Sequence, residues 1–135
     1  MIAAARIRRE IISRIREEAR KTPEQECCGL LAGRDGIITR LLPARNALES
    51  ATAFEIAPEE LFQLMRQIRG EGLEMLGIYH SHPRGENRPS PRDIASAFYS
   101  EAAYFIVSPL DDAAQPVRTF LIRDGRVTEL KIETV

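Results

Sequence analysis

The chain is short of cysteine, of net charge and of long apolar runs. Its 135 residues include 2 cysteines, adjacent at Cys27 and Cys28. Neighbouring cysteines seldom pair with each other, so no disulfide framework is expected and a reducing, cytoplasmic compartment is. Net charge is −1, from 19 Lys and Arg against 20 Asp and Glu, which excludes nucleic-acid binding through bulk charge. No stretch of about 18 apolar residues occurs, so no membrane span is expected. Met1 to Ala5 are apolar, but arginines follow at once, so no signal-peptide core is expected. Linkers and low-complexity segments are also missing. What remains is 44% hydrophobic and 29% charged, an ordinary globular balance. One domain over residues 1–135 accounts for that length. These quantities leave the oligomeric state open and do not choose a function.

The pattern along the chain predicts a mixed α/β domain, a central sheet flanked by helices in an αβα arrangement. Ile7, Ile11 and Ile15 recur every four residues with Ile12 and Ala19 beside them, so the N-terminus reads as one helix ended by Pro23. Its other face is rich in arginine. Interleaved Glu10, Glu17 and Glu18 favour a core-packed surface helix over a membrane-surface one. Cys27 to Gly33 and Ile37 to Leu42 read as a hairpin through Asp35-Gly36. Phe54 and Ile56 suggest a short strand. Pro58 opens a helix carrying Leu61, Leu64, Met65 and Ile68, closed by Gly70 and Gly72. Leu73 to His82 reads as a strand and Pro83 to Pro89 as a loop. Ser90-Pro91 starts a third helix with Ile94 and Phe98 on its buried side. Tyr104 to Val107 reads as a fully buried strand. A second Asp-Gly hairpin, through Asp124-Gly125, joins Val117–Ile122 to Val127–Ile132.

The only two histidines are His80 and His82. Residues i and i+2 of a strand share a face, with Cα atoms about 7 Å apart, so both imidazoles can reach one ion. Asp93, eleven positions after His82 at the start of the third helix, can supply a carboxylate. Two histidines and one acid leave a fourth tetrahedral position open, the arrangement of a hydrolytic zinc site. Taken alone, Ser90-Pro91-Arg92-Asp93 is also a capping box. Glu26 alone would be a surface glutamate, and the cysteine pair reads as small core packing.

Together these residues form His-x-His-x7-Ser-x2-Asp, preceded by Glu26-Cys27-Cys28-Gly29 and by the lead-in Gly77-Ile78-Tyr79. This resembles the JAMM motif of the MPN/JAB metallopeptidase family, in its short prokaryotic branch. The resemblance covers nearly the whole chain and implies a cytidine-deaminase-like αβα layout. It implies that His80, His82 and Asp93 ligate one zinc ion per chain, with water in the fourth position. Glu26 then resembles the glutamate that takes the water's proton and passes it to the leaving amine, and Ser90 the serine that stabilises the oxyanion. Glu24, the fallback for Glu26, stands at the wrong distance from Cys28-Gly29. The implied partners are ubiquitin-fold or sulfur-carrier proteins with an extended C-terminal tail, cleaved at a peptide or isopeptide bond. Such a tail could add as a strand to a sheet edge beside the metal. Arg84, Arg88 and Arg92 are either contacts to an acidic group or solvated loop residues. A non-catalytic scaffold of the same family is the alternative, although scaffold members typically lack part of the motif. A nucleoside deaminase would need a Pro-Cys-x-x-Cys pair, which is absent.

Overall fold

The computed structural model describes residues 4–135. Of the apolar N-terminal residues, Met1, Ile2 and Ala3 lie outside that range. In chain order the elements are β1 (Ala4–Ile7), α1 (Arg9–Lys21), β2 (Cys28–Arg34), β3 (Ile37–Ala44), α2 (Pro58–Gly70), β4 (Glu74–Ser81), α3 (Pro91–Ala95), β5 (Ala103–Val107), β6 (Val117–Arg123) and β7 (Arg126–Thr134). Both Asp-Gly pairs make the hairpins their chemistry predicts. Asp35 and Gly36 have φ of 56° and 75°, and Asp124 and Gly125 have 50° and 76°. Two successive positive φ values give the turn whose twist matches that of the flanking strands.

The strands form one mixed sheet in the order β1-β3-β2-β4-β5-β6-β7. β1 pairs in parallel with both β3 and β7, so the sheet closes on itself. A closed sheet has an enclosed and an outer face, and each carries its own core. All seven strands contribute to the enclosed core, which includes Ile7, Leu31, Leu41, Tyr79, Phe105, Leu121 and Leu130 together with Ile11, Ile15 and Ala19 of α1. The outer core holds Leu30, Leu42, Ile78, Ile106 and Phe120 under Ile68 and Leu64 of α2. Helices therefore flank the sheet as the pattern predicts. Burying a side chain such as Ile15 or Leu31 contributes about 1.5–3 kcal/mol. Among the described residues, no helix is long and apolar enough to cross a membrane.

Three sequence expectations need correction. Ile7 belongs to a strand, because Arg8 is extended (φ −67°, ψ 142°) and the helix begins at Arg9. Its spacing to Ile11 and Ile15 arises because strand and helix feed the same enclosed core. Phe54 and Ile56 are not in a strand; the segment is irregular, with its backbone held by the Asn46 side chain. Phe98 is 82% exposed, because α3 stops at Ala95 and no longer turns that position inward. Ile94 does pack on the outer core.

Gly29 explains part of the Glu-Cys-Cys-Gly pattern. A Cβ there would lie 2.5 Å from the Leu42 carbonyl oxygen, 2.5 Å from Tyr79 Cε1 and 2.6 Å from its hydroxyl. Gly29 pairs with Pro43 on one side and Tyr79 on the other, so neither neighbour can retreat without disturbing the ladder. Gly29→Ala is expected to destabilise the protein by about 1–3 kcal/mol, read as a lowered thermal midpoint.

Candidate metal centre

β4 lies between β2 and β5, with Cys28 opposite His80 on one side and Ile106 on the other. Side chains alternate along it. Tyr79 points to the enclosed core, while Ile78 and His80 share the outer face. His82 follows the strand end and donates its backbone N–H to the Val107 carbonyl (3.0 Å). Its ring comes to 4.9 Å from that of His80. Asp93 arrives from α3. The Ser90 hydroxyl caps this helix by accepting from the Asp93 N–H (3.0 Å), and Asp93 Oδ2 accepts from the Ser90 N–H (2.9 Å). The capping box and the predicted site are therefore one object.

His80 Nε2, His82 Nε2 and Asp93 Oδ2 converge, separated by 3.1, 3.2 and 3.0 Å. The Glu86 carbonyl accepts a hydrogen bond from His82 Nδ1–H (2.7 Å), which leaves the Nε2 lone pair facing the cluster. Three electron-rich atoms at such separations attract one another only through a proton or a cation between them. Zinc ligands about 2.0–2.1 Å from a tetrahedral centre stand about 3.3 Å apart, close to the observed edges. The residues present therefore fit a zinc ion.

Glu26 completes the group. One of its carboxylate oxygens lies within 4.8 Å of ligand atoms on His80 and His82. The residue is only 3% exposed, and Oε1 has no hydrogen-bond partner. Burial pushes the carboxyl up to about 7, with His82 opposing the shift. Burial holds His80 below its ordinary value. Burial also lowers His82, but the hydrogen bonds to Asp93 and to the Glu86 carbonyl outweigh it. For Asp93 burial is overcome by the two histidines, which hold its carboxyl far below the usual range. Glu24 is exposed and is not part of the cluster. The cysteines stay in the background: burial pushes Cys27 up to about 11 and Cys28 up to about 12, so neither is a thiolate at neutral pH.

Three residues that the motif does not mark hold this arrangement. Ser81, between the two histidines, points to the opposite face. It donates its N–H to the Cys27 carbonyl (3.1 Å) and accepts the Cys27 N–H on its hydroxyl (2.8 Å). Asn46, 3% exposed, donates to the carbonyls of Glu26 (3.1 Å) and Ala53 (3.0 Å) and accepts from the N–H groups of Leu48 and Glu55. The Glu26 N–H meanwhile donates to the Ser50 carbonyl (2.8 Å). Phe54, carried by the same loop, stacks on the His80 ring at 4.5 Å. A polar asparagine followed by a loop was the available signal, but nothing in the pattern connects it to Glu26.

Closure of the sheet limits which strand edges lie free near the metal. β2, β4 and β5 are each paired on both sides. β1 pairs only with Ile37 and Ile38 of β3, so the rest of that strand's outer edge has no strand partner among the described residues. Two recesses lie beside the cluster. One of about 280 Å³ contains Glu26, Thr52, His82, Arg84 and Ser90. Another of about 330 Å³ is lined by Phe54, Leu61, Ile78, Phe98, Tyr99 and Tyr104, which gives exposed Phe98 a place at a rim.

Known proteins share both sequence and fold with this chain. The family described as prokaryotic homologs of the JAB domain matches residues 8–123. A desampylase of Haloferax volcanii is 38% identical over 109 residues, covering 78% of each chain. A CysO-cysteine peptidase of Mycobacterium tuberculosis is 32% identical, covering 96% of this chain and 90% of its own. A probable TtuB-protein conjugate cleaving protease of Thermus thermophilus is 34% identical, covering 92% and 80%. A solution structure from Desulfitobacterium hafniense superposes with a TM-score of 0.83 at 32% identity, covering 96% and 91%. A structure described as a metalloprotease-like zinc site in the proteasome and signalosome gives 0.62 at 19% identity, covering 96% and 97%, a likeness of fold. With its histidine pair, acid and glutamate in one cluster and its sequence matched over most of its length, the chain belongs to the prokaryotic JAB family.

Proposed function

We propose that this chain is a single-domain zinc peptidase that hydrolyses the bond after the C-terminal tail of a ubiquitin-fold protein, a small sulfur carrier first of all. The observation that carries the reading is the convergence of His80, His82 and Asp93 with buried, unpartnered Glu26 beside them. His80, His82 and Asp93 would hold one zinc ion. Zinc bound there supplies Lewis-acid activation of water and of the scissile carbonyl near neutral pH.

The remaining work falls to the chain's own groups. Glu26 takes a proton from the attacking water and delivers it to the leaving amine. Its carboxyl is buried beside the ligand atoms with Oε1 free of any hydrogen-bond partner, so it is placed to carry that proton in both directions. Ser90 keeps its hydroxyl hydrogen free, since its oxygen is the acceptor in the cap, and donates it to the oxyanion developing on the carbonyl. Phe54 covers one side of His80 and keeps water from it.

Support for the substrate class comes from relatives named for CysO-cysteine and for TtuB-protein conjugates. The test is incubation of zinc-loaded protein with its host's ubiquitin-fold carriers, each bearing a C-terminal extension, with mass spectrometry of the products. Cleavage after the tail is the expected result; intact carriers in the presence of bound zinc would overturn it. Removal of ubiquitin-like modifiers from lysines is the second reading, favoured by the relative named for conjugate cleavage. A ubiquitin-like protein joined to a lysine side chain, placed in the same assay, separates the two.

Ser90→Ala is expected to lower kcat by about 10²–10³-fold with little change in KM. Loss of the cap should also destabilise the protein by about 1 kcal/mol. Ser90→Thr, which keeps the hydroxyl, should recover most of both. Steady-state kinetics and thermal melts check the pair.

A further inference from the structure

We propose that Arg84 binds the α-carboxylate of the residue leaving the scissile bond, so that the preferred substrate ends one residue beyond the cleavage point; this rests on the peptidase reading above. The recess that contains Glu26 and Ser90 is also lined by Arg84, its only guanidinium. The space bounded by Phe54, His80, Asp93 and Tyr104 is about 20 Å³ and cannot take an amino-acid residue, and the recess of about 330 Å³ that shares Phe54 and Tyr104 with it contains neither Glu26 nor Ser90. An amine that receives its proton from Glu26 lies in the recess with Glu26, and hence with Arg84.

The chemistry of the leaving group then decides what Arg84 meets. In a free amino acid, amine and carboxylate share one carbon. A carboxylate therefore enters the recess with the amine, and a guanidinium can pair with it through two parallel hydrogen bonds. A lysine side-chain amine brings no anion with it. In the hydrolysis, hydroxide from water adds to the carbonyl carbon and the C–N bond breaks. The proton carried by Glu26 goes to the nitrogen. The products are the tail carboxylate and one free amino acid.

Arg84 is available for this contact and its loop is anchored. Glu86 is tied to His82 by the 2.7 Å bond from Nδ1–H to its carbonyl. Asn87, next to it, donates to the Gln115 carbonyl at 2.7 Å. Of the other arginines nearby, Arg88 faces Glu86 at 4.0 Å and Arg118 makes bonds of 2.9 and 2.6 Å to Glu129, while Arg92, also without an ion-pair partner among the described residues, lines the neighbouring recess beside Phe54 rather than the one with Glu26. Among the described residues exposed Arg84 has no ion-pair partner.

The test uses two carriers that differ only at the C-terminus, both ending Gly-Gly-Ala, one as the free acid and one as the carboxamide. Zinc-loaded wild type is expected to prefer the acid by about 10–100-fold in kcat/KM, the range for a charge-assisted pair. In Arg84→Gln the acid-to-amide ratio should fall to about one, and in Arg88→Gln it should persist. Binding gives a second readout. Zinc-loaded Glu26→Gln should hold the acid more tightly than the amide, and the difference should vanish when Arg84→Gln is added. A wild-type ratio near one, or a preference that survives Arg84→Gln, overturns the proposal while the peptidase reading stands. Cleavage of neither carrier, with the Arg84-dependent binding difference intact, overturns the peptidase reading and leaves the carboxylate site standing.

Discussion

Substitution of His82 by alanine is expected to abolish zinc binding and to lower kcat/KM by at least about 10⁴-fold, the scale of several kcal/mol that a Lewis acid contributes to the transition state. Its Nε2 is one of three atoms held 3.0–3.2 Å apart, and two protein ligands do not retain the ion against buffer. His82 is the better choice over His80 for a clean experiment. His80 is 1% exposed and stacked under Phe54, so its loss leaves a cavity in the outer core as well as an incomplete ligand set. His82 sits past the strand end, its side chain 11% exposed against 2% for His80, and among the described residues no aromatic ring but that of His80 packs on it. Metal content by elemental analysis should fall from about one zinc per chain to near zero, while the thermal transition of the metal-free protein stays close to that of metal-free wild type. Chelation of wild type with o-phenanthroline should reproduce the kinetic loss, and added zinc should reverse it. Full turnover by His82→Ala with zinc still bound would remove His82 from the ligand set.

Glu26→Gln should separate metal binding from chemistry. Glutamine has the same shape, and the Glu26 backbone is held independently by Ser50 and Asn46. Zinc content should therefore remain near one per chain. Loss of a positioned proton carrier lowers rates by about 10²–10⁴-fold, and kcat should fall by that factor with KM nearly unchanged. Stability should move the other way. Burial raises the Glu26 carboxyl to about 7, so the folded chain holds its proton more tightly than the unfolded chain does. Ionising it in the folded state is penalised, and that penalty grows as pH rises from the ordinary carboxylate range to about 7. Glutamine never ionises. Metal-free Glu26→Gln should melt at or above metal-free wild type at pH 8, with the difference closing in acid. A variant that is inactive because it has unfolded would show the opposite.

The features that could be read from the chain are those whose chemistry is local. The Asp-Gly pairs specify their turns by positive φ alone. His80 and His82 share a face because strand geometry has a period of two, and Ser90 with Asp93 marks a helix start whatever else the pair does. The metal cluster adds only one long-range condition, that α3 lie against the end of β4. What stayed hidden depends on contacts distant in sequence. Four residues of β1 cannot announce parallel partners more than 100 positions away, and Ile7 imitates a helical stripe because two different elements supply one core. Phe54 and Ile56 are apolar at alternate positions, as in a strand, but the partner that satisfies their loop is a side chain, Asn46. Phe98 follows the helical period past the point where Ser96 ends the helix.

The parallel seam between β1 and β7 bears on the order of assembly. Pairing Ala4–Ile7 with Lys131–Thr134 closes a loop nearly as long as the chain. The entropy of that closure grows only logarithmically with length, so at equilibrium it costs about 3 kcal/mol more than a connection of about four residues, five doublings at about 0.6 kcal/mol each. In time it weighs more, since a distant pairing has to be paid for before it is rewarded. The hairpin of β2 and β3, its docking on β4 and the arrival of β5 and α3 all use nearer contacts, and these elements carry His80, His82, Ser90 and Asp93. The seam is thus the natural last event of folding and the first to fray, and neither β1 nor β7 carries a residue of the metal cluster.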